Sequence, residues 1–386
     1  MSKILAVGGG SGGHVTPVIA VFEQLKNEPD VELRFWCDYK FGPQAKKIFA
    51  KFDSSIPVEF VFAGKFRRYH GLGIWFLLRP SILFANIVDL FKIIGGFFQS
   101  FFKLIRWRPD VIFIKGGFVC LPVGYAARIL GIPIVLHDSD AHPGLTNRLL
   151  APFASKIATG APLEYYNYPK DKTTYVGIPI SSDFRQYGET ERRQFKQKLG
   201  FDENRQLVVA TGGGLGAVRI NNAVVRERDI LLEQTSLMLI SGNDQYDELK
   251  NKLTDTPNWK LVPFVHQGMV EVLAAADIVV ARAGATTLLE LAALHKPTII
   301  IPNEILTAGH QLKNAKVYQD ALAAVIITEG ELDVDGTLTR KITDLLNASG
   351  IRQELGDNFG KFAKPNAAKD VASLLVSTIA ESGRVG

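Results

Sequence analysis

Cysteine is scarce in this sequence: its 386 residues contain two, Cys37 and Cys120. So few thiols exclude a disulfide-stapled secreted scaffold and a cysteine-rich zinc module, and they favour a reducing, cytoplasmic setting. A disordered chain is excluded too, because 47% of the residues are apolar and 22% are charged. No signal peptide is expected, since a strand-like run begins at Ile4.

Acidic residues are sparse in the first half of the chain. Residues 1–180 hold 21 Lys and Arg against 13 Asp and Glu, a balance of +8, whereas the remaining residues have a balance of −3. This asymmetry indicates that the first half meets an anionic partner, such as nucleic acid, anionic lipid or a phosphorylated substrate. Nucleic acid is disfavoured, because the basic residues stand among apolar aromatic residues and form no polar stripe.

A long apolar run without charges is also missing. The segment Gly73–Trp107 contains nine aromatic residues, but Asp89 and Lys92 interrupt it and Gly95-Gly96 weakens it as a single span. A transmembrane helix needs about 20 mostly apolar residues. The alternatives are a pair of core helices, a membrane span, and an interfacial surface with aromatic residues among lipid headgroups and basic residues on anionic lipid. We favour the interfacial surface.

Short β-branched runs alternate with longer helical periods, a pattern typical of βαβ units and parallel sheets. Six strands are expected in each half of the chain. They are Ile4–Val7, Val31–Trp36, Val58–Phe62, Val111–Ile114, Ile134–Leu136 and Lys156–Thr159, then Leu207–Ala210, Leu237–Ile240, Leu261–Val265, Ile278–Ala281, Thr298–Ile301 and Ala324–Ile327. Each set opens with a glycine cluster, so we predict an α/β chain of two Rossmann-like, doubly wound domains.

The boundary between the two predicted domains lies at residues 178 and 179. Gly177 and Pro179 end the last strand-like run of the first half, which gives domains 1–178 and 179–386. The last amphipathic helix, Ala367–Ser382, could pack on either domain.

Glycine-rich turns follow three of the predicted strands. In Gly8–His14, a loop without Cβ atoms leads into a helix, and such a loop suits phosphate. It also matches the dinucleotide fingerprint, with Asp38 as a ribose acid, and a purely structural turn is a further alternative. Lys115–Phe118 and Thr211–Ala217 repeat the junction. Three such turns in two domains favour a site with phosphates on both sides over a single dinucleotide.

A fourth turn lies late in the chain, where Arg282–Thr287 follows a buried strand. Turns at the carboxyl ends of strands are where open α/β sheets bind ligands. We expect the next helix to begin at Leu288, with Glu290 in its first turn, where the carboxylate would accept hydrogen bonds from two ribose hydroxyls. The alternative is an acid that only interacts with the helix dipole.

Taken in order, these stretches resemble the MurG family of bacterial lipid I N-acetylglucosaminyltransferases over about residues 1 to 380. The matching stretches are Gly9–Pro17, Gly116–Phe118, Ile132–His137, Gly144–Asn147, Gly213–Ala217, Arg282–Glu290 and His310–Ala315. The resemblance implies the GT-B fold, in which two Rossmann-like domains face across a cleft. It implies inverting transfer of GlcNAc from UDP-GlcNAc to the MurNAc 4-hydroxyl of lipid I, forming lipid II for peptidoglycan. It also implies that no metal or other cofactor is needed, and that a peripheral protein acts at the cytoplasmic face of the cell membrane, bound through Gly73–Trp107.

The resemblance also implies roles for individual residues. His14 is the leading candidate for the general base, since histidine is suited to proton transfer near pH 7. The alternative is that it only orients its loop. His137 and Asp138 are second candidates. The expected substrate-binding residues are Ser11, Gly12, Gly13, Gly117, Phe118, Asp140, Asn147, Ser181, Gly214, Val265 (uracil), Arg282, Gly284, Ala285, Thr286 and Thr287 (diphosphate), Glu290 (ribose), and His310 and Gln311 (donor sugar).

Four of these positions depart from the residue that the family usually has. Asp140 stands in place of Asn, Ser181 in place of Arg, Gly214 in place of Ser, and Phe118 in place of Tyr. Arg185 and Arg219 are candidates to supply the cation that is missing at position 181. Read alone, Asp138-Ser139-Asp140 is a metal-binding DxD motif, but that motif belongs to a glycosyltransferase fold with a single Rossmann-like domain.

Other functions remain open at this point. A related transferase would act on diacylglycerol or another lipid-linked acceptor. A UDP-GlcNAc 2-epimerase also uses two Rossmann-like domains, but it would need catalytic carboxylates and no membrane patch. A nicotinamide oxidoreductase would bind NADH, and a non-catalytic lipid-binding protein would turn over no UDP-GlcNAc.

Overall fold

The computed structural model describes residues 2–10, 12–26, 28, 30–65, 79–141, 143–213, 216–254, 256–265, 268–304 and 310–383. The chain forms two compact units, one comprising Met1–Ser181 with Asn366–Gly386 and the other comprising Ser182–Pro365. Each unit is built on one parallel sheet. The predicted fold class, two parallel α/β domains, is therefore confirmed.

The sheet of the first unit has seven parallel strands in the order β3-β2-β1-β4-β5-β6-β7. These are β1 (Ser2–Gly8), β2 (Val31–Asp38), β3 (Val58–Val61), β4 (Val111–Gly116), β5 (Ile134–Asp138), β6 (Lys156–Thr159) and β7 (Thr173–Tyr175). The prediction of six strands was wrong because β7 is an edge strand of three residues. A strand this short shows no alternation of apolar and polar residues.

Helices cover both faces of this sheet. They are α1 (Thr16–Leu25), α2 (Gly42–Phe52), α3 (Pro80–Trp107), α4 (Cys120–Ile129), α5 (Leu145–Leu150) and the C-terminal helix (Ala367–Glu381). The C-terminal helix packs on α1, where Val371, Leu375 and Ile379 join a buried cluster with Val18 and Phe22. The sequence left open which domain this helix packs on, and in the structure it packs on the first unit.

The sheet of the second unit has six parallel strands in the order β10-β9-β8-β11-β12-β13. These are β8 (Leu207–Thr211), β9 (Ser236–Ile240), β10 (Trp259–Val262), β11 (Ile278–Ala281), β12 (Thr298–Ile300) and β13 (Val325–Ile326). The strand expected at Leu261–Val265 thus begins earlier, at Trp259, and it ends at Val262 because the following Pro263 has no N–H to continue the ladder.

Ten helices are described in the second unit. They are α6 (Glu189–Lys198), α7 (Val218–Arg226), α8 (Arg228–Gln234), α9 (Asn243–Lys252), α10 (Met269–Ala275), α11 (Ala285–Ala293), α12 (His310–Asp320), α13 (Glu329–Leu332), α14 (Thr337–Asn347) and α15 (Ser349–Gly360). Helix α11 begins at Ala285, three residues before the predicted start.

Helix α3 contains most of the predicted membrane segment, and residues 73–78 of that segment lie outside the described residues. It is one continuous helix of 28 residues, so the described part contains no helix pair. Its buried side consists of Asp89, Gly96, Ser100, Leu104 and Trp107. Within the described ranges it is the one helix long and apolar enough to cross a membrane, and only 11% of its most apolar 18-residue window is buried.

Two adjacent glycines of α3 offer a matched test of this packing. A Cβ on Gly96 would overlap the backbone carbonyl of Phe62, whereas a Cβ on Gly95 would point into open space. We expect Gly96→Ala to destabilise the protein by about 1–3 kcal/mol, because the helix must move off the sheet. Gly95→Ala should stabilise it by about 0.5–1 kcal/mol, because alanine favours the helix. Denaturant unfolding of both variants measures the difference, and equal effects would contradict this packing.

Candidate active site

The first glycine loop follows β1 and is held by Asp38 at the end of β2. Its carboxylate accepts hydrogen bonds from the backbone N–H groups of Gly10 (2.8 Å) and Phe41 (3.0 Å). A Cβ on Gly9 would lie 2.5 Å from Asp38 Oδ2, so only glycine fits there. Asp38 therefore braces the loop and does not stand free for a ribose. Ser11, a predicted contact, lies outside the described residues.

The second glycine loop packs directly on the first. Gly116 and Gly117 have φ angles of 107° and 92°, the left-handed region that favours glycine. A Cβ on Gly117 would lie 2.7 Å from the carbonyl oxygen of Gly9, and one on Gly10 would lie 3.1 Å from Cε1 of Phe118. The predicted residues Gly117 and Phe118 therefore lie beside the first loop.

His14 ends the short 3₁₀ turn Gly12–His14 that leads into α1. Its ring hydrogen-bonds to the backbone of Lys115, whereas its Nδ1 is buried and has no partner among the described residues. Burial, followed by the positive charge of Lys115, lowers the pKa of His14 to about 4. The imidazole is therefore neutral at pH 7, which is the protonation state that a general base requires.

Lys115 is a site residue that the sequence reasoning missed. It is the last residue but one of β4, it is buried, and its ammonium donates a 2.5 Å hydrogen bond to Ser139 Oγ. Burial lowers its pKa to about 8 against the opposing charges of Asp138 and Asp140. A lysine that closes the apolar run Val111–Ile114 just before two glycines was a visible signal, because such a side chain cannot reach bulk water easily.

Asp138 and His137 lie at the end of β5. The Asp138 carboxylate accepts hydrogen bonds from Tyr168 Oη (2.8 Å) and from the Asn147 side chain. Burial and Asp140 raise the pKa of Asp138 to about 7. His137 is fully buried with Nε2 2.8 Å from the carbonyl oxygen of Gly177, and burial lowers its pKa. This geometry suits support of the strand end better than contact with a substrate.

In the second unit, a glycine turn follows β8. Gly213 and Gly216 have φ angles of 76° and 74°, and a Cβ on Gly216 would overlap the carbonyl oxygen of Ser241. The turn is therefore pressed against the end of β9. Gly214 lies outside the described residues, and Val265 follows β10 in a loop.

Arg282 is buried after β11, and its guanidinium is already engaged. It donates to the carbonyl oxygen of Ile301 (3.1 Å) and pairs with Glu329 (Nη2–Oε1 2.7 Å). The two cations considered as replacements at position 181 are engaged as well. Arg219 pairs with Asp333 at 3.1 Å and Arg185 with Glu191 at 3.0 Å.

The N-terminus of α11 is formed by residues expected to bind the diphosphate. Gly284 is extended, and Ala285, Thr286 and Thr287 make the first helical turn. Their backbone N–H groups have no partner within the helix, so the turn suits an anion.

Glu290 lies in the second turn of α11, so its expected place in the first turn was wrong. The sequence-based boundary put the helix start too late, because small and hydroxyl residues resemble a loop. The helix dipole therefore does not account for Glu290. Its half-buried carboxyl has no partner among the described residues, and burial raises its pKa to about 8. Such a carboxyl suits a ligand that donates hydrogen bonds.

Polar side chains of α12 hold the neighbouring loops. Gln311 Oε1 accepts from the backbone N–H of Asn303 (2.9 Å), and Asn314 Nδ2 donates to the carbonyl oxygen of Ala283 (3.0 Å). Asn314, which was not predicted as a site residue, thereby fixes the turn before α11. The side chain of His310 lies outside the described part of the chain.

No cluster of three or more His, Cys, Asp or Glu side chains suited to a metal occurs in the described ranges. The features that are present are glycine turns at the carboxyl ends of both parallel sheets and a helix N-terminus suited to phosphate. Together these define a two-domain α/β protein whose sheet ends suit a phosphate-containing ligand such as a nucleotide.

Family models identify the class more closely. The N-terminal domain model of glycosyltransferase family 28 matches residues 4–159, and the C-terminal domain model of the same family matches residues 207–371. The chain therefore belongs to glycosyltransferase family 28, and it is a glycosyltransferase.

Full-length relatives support this assignment. One from Bacillus pumilus, named UDP-N-acetylglucosamine–N-acetylmuramyl-(pentapeptide) pyrophosphoryl-undecaprenol N-acetylglucosamine transferase, is 32% identical over 98% of this chain and 99% of its own. A relative of the same name from Clostridium botulinum strain Hall is 30% identical over 97% and 99%.

Solved structures agree on the fold alone. Acinetobacter baumannii MurG matches with a TM-score of 0.70 at 23% identity, over 98% of this chain and all of that one. A UDP-GlcNAc 2-epimerase from Neisseria meningitidis matches with a TM-score of 0.68 at 13% identity, over 97% of this chain and all of its own. Similar scores for a transferase and an epimerase mean that the fold does not choose between them, whereas the family models do.

Proposed function

We propose that the protein transfers GlcNAc from UDP-GlcNAc to the MurNAc 4-hydroxyl of lipid I, with inversion at the sugar, and so makes lipid II for peptidoglycan. The observation that carries this proposal is the similarity over 98% of the chain to a relative whose name specifies both donor and acceptor. The site residues agree with it, because they provide a neutral base in the first unit and anion-binding groups in the second.

In this reaction His14 takes the proton of the acceptor hydroxyl as the oxygen attacks C1 of the donor sugar. The C1–oxygen bond to UDP breaks on the opposite face, and UDP leaves with the bonding electrons. The N–H groups at the start of α11 stabilise the charge that grows on the diphosphate. Glu290 holds the ribose hydroxyls. Each step uses groups of this chain, so we expect transfer without an added metal.

The test is an assay with radiolabelled UDP-GlcNAc and a short-chain lipid I analogue in the presence of EDTA. Label that moves into the lipid supports the donor, the acceptor class and the metal independence together. Tight UDP-GlcNAc binding without transfer would instead indicate another acceptor and give the departures at Phe118, Asp140 and Ser181 a functional meaning. Conversion of the labelled UDP-GlcNAc into its 2-epimer, without transfer to the lipid, would overturn the proposal.

The protein acts, we propose further, as a peripheral protein at the cytoplasmic face of the cell membrane. Helix α3 presents an apolar stripe at helical spacing, and its flanks bear Lys92 and Arg106. The stripe consists of Phe84, Ile87, Phe91, Ile94, Phe98, Phe102 and Ile105, of which all are exposed. An apolar stripe with flanking cations suits the headgroup region of an anionic leaflet.

Two substitutions in the α3 stripe should weaken membrane binding. Phe98 and Phe102 are 53% and 66% exposed, so Phe98→Ser with Phe102→Ser removes apolar surface without opening a core. We expect binding to vesicles that contain anionic lipid to fall at least about tenfold, since burying one such side chain contributes about 1.5–3 kcal/mol. Vesicle sedimentation measures it. Ile230 on α8 is 54% exposed, so Ile230→Ser is the matched control. Equal losses of vesicle binding in the two proteins would argue against the stripe as the membrane-binding surface.

A further inference from the structure

A buried ion pair in the second unit links helix α13 to the turn that leads into α11. Glu329 is the first residue of α13, and its side chain is buried. Its Oε1 lies 2.7 Å from Nη2 of Arg282, which is also buried. Burying a charge is costly unless an opposite charge and hydrogen bonds compensate it. Each member of this pair therefore depends on the other for its place in the interior.

Both terminal nitrogens of the Arg282 guanidinium have partners within the protein. Nη2 pairs with Glu329, and Nη1 donates to the carbonyl oxygen of Ile301 at 3.1 Å. Arg282 follows β11, Ile301 follows β12, and Glu329 begins α13. The side chain thus joins three elements of the second unit. These contacts suit a residue that braces the turn better than one that contacts the diphosphate.

The turn Arg282–Gly284 is held from a second side by α12. Asn314 Nδ2 donates to the carbonyl oxygen of Ala283 at 3.0 Å. Gly284 is extended, and α11 begins at the next residue. Because the turn is continuous with the first turn of the helix, the contacts of Arg282 and Asn314 fix the direction of the free N–H groups at the start of α11.

Glu329 has contacts with two further parts of the second unit. Its Oε2 lies 3.8 Å from Nε of Arg219 on α7, the helix that follows the glycine turn after β8. Its backbone N–H donates to Oε1 of Glu304, in the loop after β12, at 3.1 Å. All of these segments follow strands at their carboxyl ends, where open α/β sheets bind ligands. Glu329 is therefore a common anchor for the segments around the proposed donor site.

We propose that Glu329 and Arg282 are positioning residues that aim the N-terminus of α11 at the donor diphosphate. The two side chains do not contact the nucleotide, and they act through the turn. Alignment matters because the favourable field of a helix N-terminus for an anion is confined to the first turn. Without the pair, the buried guanidinium moves toward water and the turn moves with it. The inference rests on the proposed function only in placing the donor diphosphate at the start of α11.

The test compares the binding of UDP with that of uridine, which has the same base and ribose but no phosphate. Calorimetry gives the UDP affinity, and NMR titration gives the weaker uridine affinity, both at a single pH. In Glu329→Ala and in Arg282→Met, UDP affinity should fall about tenfold or more, which corresponds to one lost hydrogen bond to a charged group. Uridine affinity should stay nearly unchanged, because the buried leucines of α11 keep Glu290 in place.

The double variant separates a brace from a direct contact. Since the two side chains act as one unit, Glu329→Ala with Arg282→Met should weaken UDP binding no more than either single change. If Arg282 itself contacted the diphosphate, Glu329→Ala would free the guanidinium for that contact. UDP binding that is unchanged or tighter in Glu329→Ala, but lost in Arg282→Met, would therefore overturn the inference.

Two more variants serve as the control and the safeguard. Asp333 is exposed just after α13 and pairs with Arg219 at 3.1 Å, so Asp333→Asn tests the α7 contact alone and should change neither affinity. Glu329→Gln keeps the shape of the side chain if Glu329→Ala does not fold. Its amide can accept from Arg282 but has no charge, so a smaller loss of UDP affinity is expected. Tighter UDP binding in Glu329→Gln would overturn the inference.

The remaining outcomes distinguish this inference from the proposed function. Equal losses of UDP and uridine affinity would indicate a general loosening of the second unit and overturn the inference. The expected selective loss, in a protein that does not use lipid I, would sustain the inference and overturn only the proposed acceptor. A native protein that binds UDP no more tightly than uridine would overturn both the inference and the proposed donor.

Discussion

Replacing His14 by alanine lowers kcat for transfer to a lipid I analogue by about 10²–10⁴-fold and leaves UDP-GlcNAc affinity nearly unchanged. This decrease in kcat is the one expected when a general base is removed. Donor affinity is spared because the groups suited to the nucleotide, at the N-terminus of α11 and at Glu290, belong to the second unit. Steady-state kinetics and calorimetry on the same preparation separate the two quantities.

Asp138 is the alternative candidate for the general base, and the pH dependence of activity distinguishes it from His14. Either base works only when deprotonated, so activity falls as the pH drops through the pKa of the base. With His14 as base, this acid limb of kcat/KM for the lipid acceptor lies near pH 4, and with Asp138 it lies near pH 7. UDP-GlcNAc is kept saturating at each pH, so that Glu290 is ionised and adds no limb of its own. Asp138→Asn is the matched variant. A loss of 10²-fold in that protein, with His14→Ala nearly active, would assign the base to Asp138.

Much of the fold was accessible from the sequence because parallel strands buried on both faces are continuous apolar runs. Val111–Ile114 and Ile278–Ala281 were recognised this way. The elements that escaped are those without such a pattern. Strand β7 has three residues at a sheet edge, and the start of α11 looks like a loop because Gly284 and two threonines precede its apolar positions.

The site was predicted through its glycines and less well through its charges. A position where the backbone requires glycine can be recognised in the sequence, as Gly117 shows, because only glycine fits against the carbonyl of Gly9. The direction in which a side chain points cannot be recognised in this way. Lys115 and Asn314 lie beside predicted residues in the chain, yet their contacts with Ser139 and Ala283 depend on neighbouring strands and helices. Sequence spacing within one element does not contain that information.

Glu290 should couple donor binding to proton release. In the free protein, burial raises its pKa to about 8, so the carboxyl is mostly protonated at pH 7. Ribose hydroxyls that donate to the carboxylate favour the ionised form, so binding lowers the pKa and releases a proton. UDP-GlcNAc affinity should therefore rise with pH through the neutral range and level off above about pH 8. UDP-GlcNAc is the better probe than UDP, because its diphosphate has no phosphate monoester that titrates near pH 6.

Calorimetry in two buffers of different ionisation enthalpy counts the released protons. Glu290→Gln should abolish the release and make the affinity independent of pH. Glu290→Ala should weaken UDP-GlcNAc binding by about 10–150-fold, since hydrogen bonds to a charged group contribute about 1.5–3 kcal/mol. Glu248→Gln, at an exposed carboxylate paired with Lys252 on α9, is the control and should change neither quantity. Proton release that persists in Glu290→Gln would place the titrating group elsewhere, and unchanged affinity in Glu290→Ala would remove Glu290 from the ribose site.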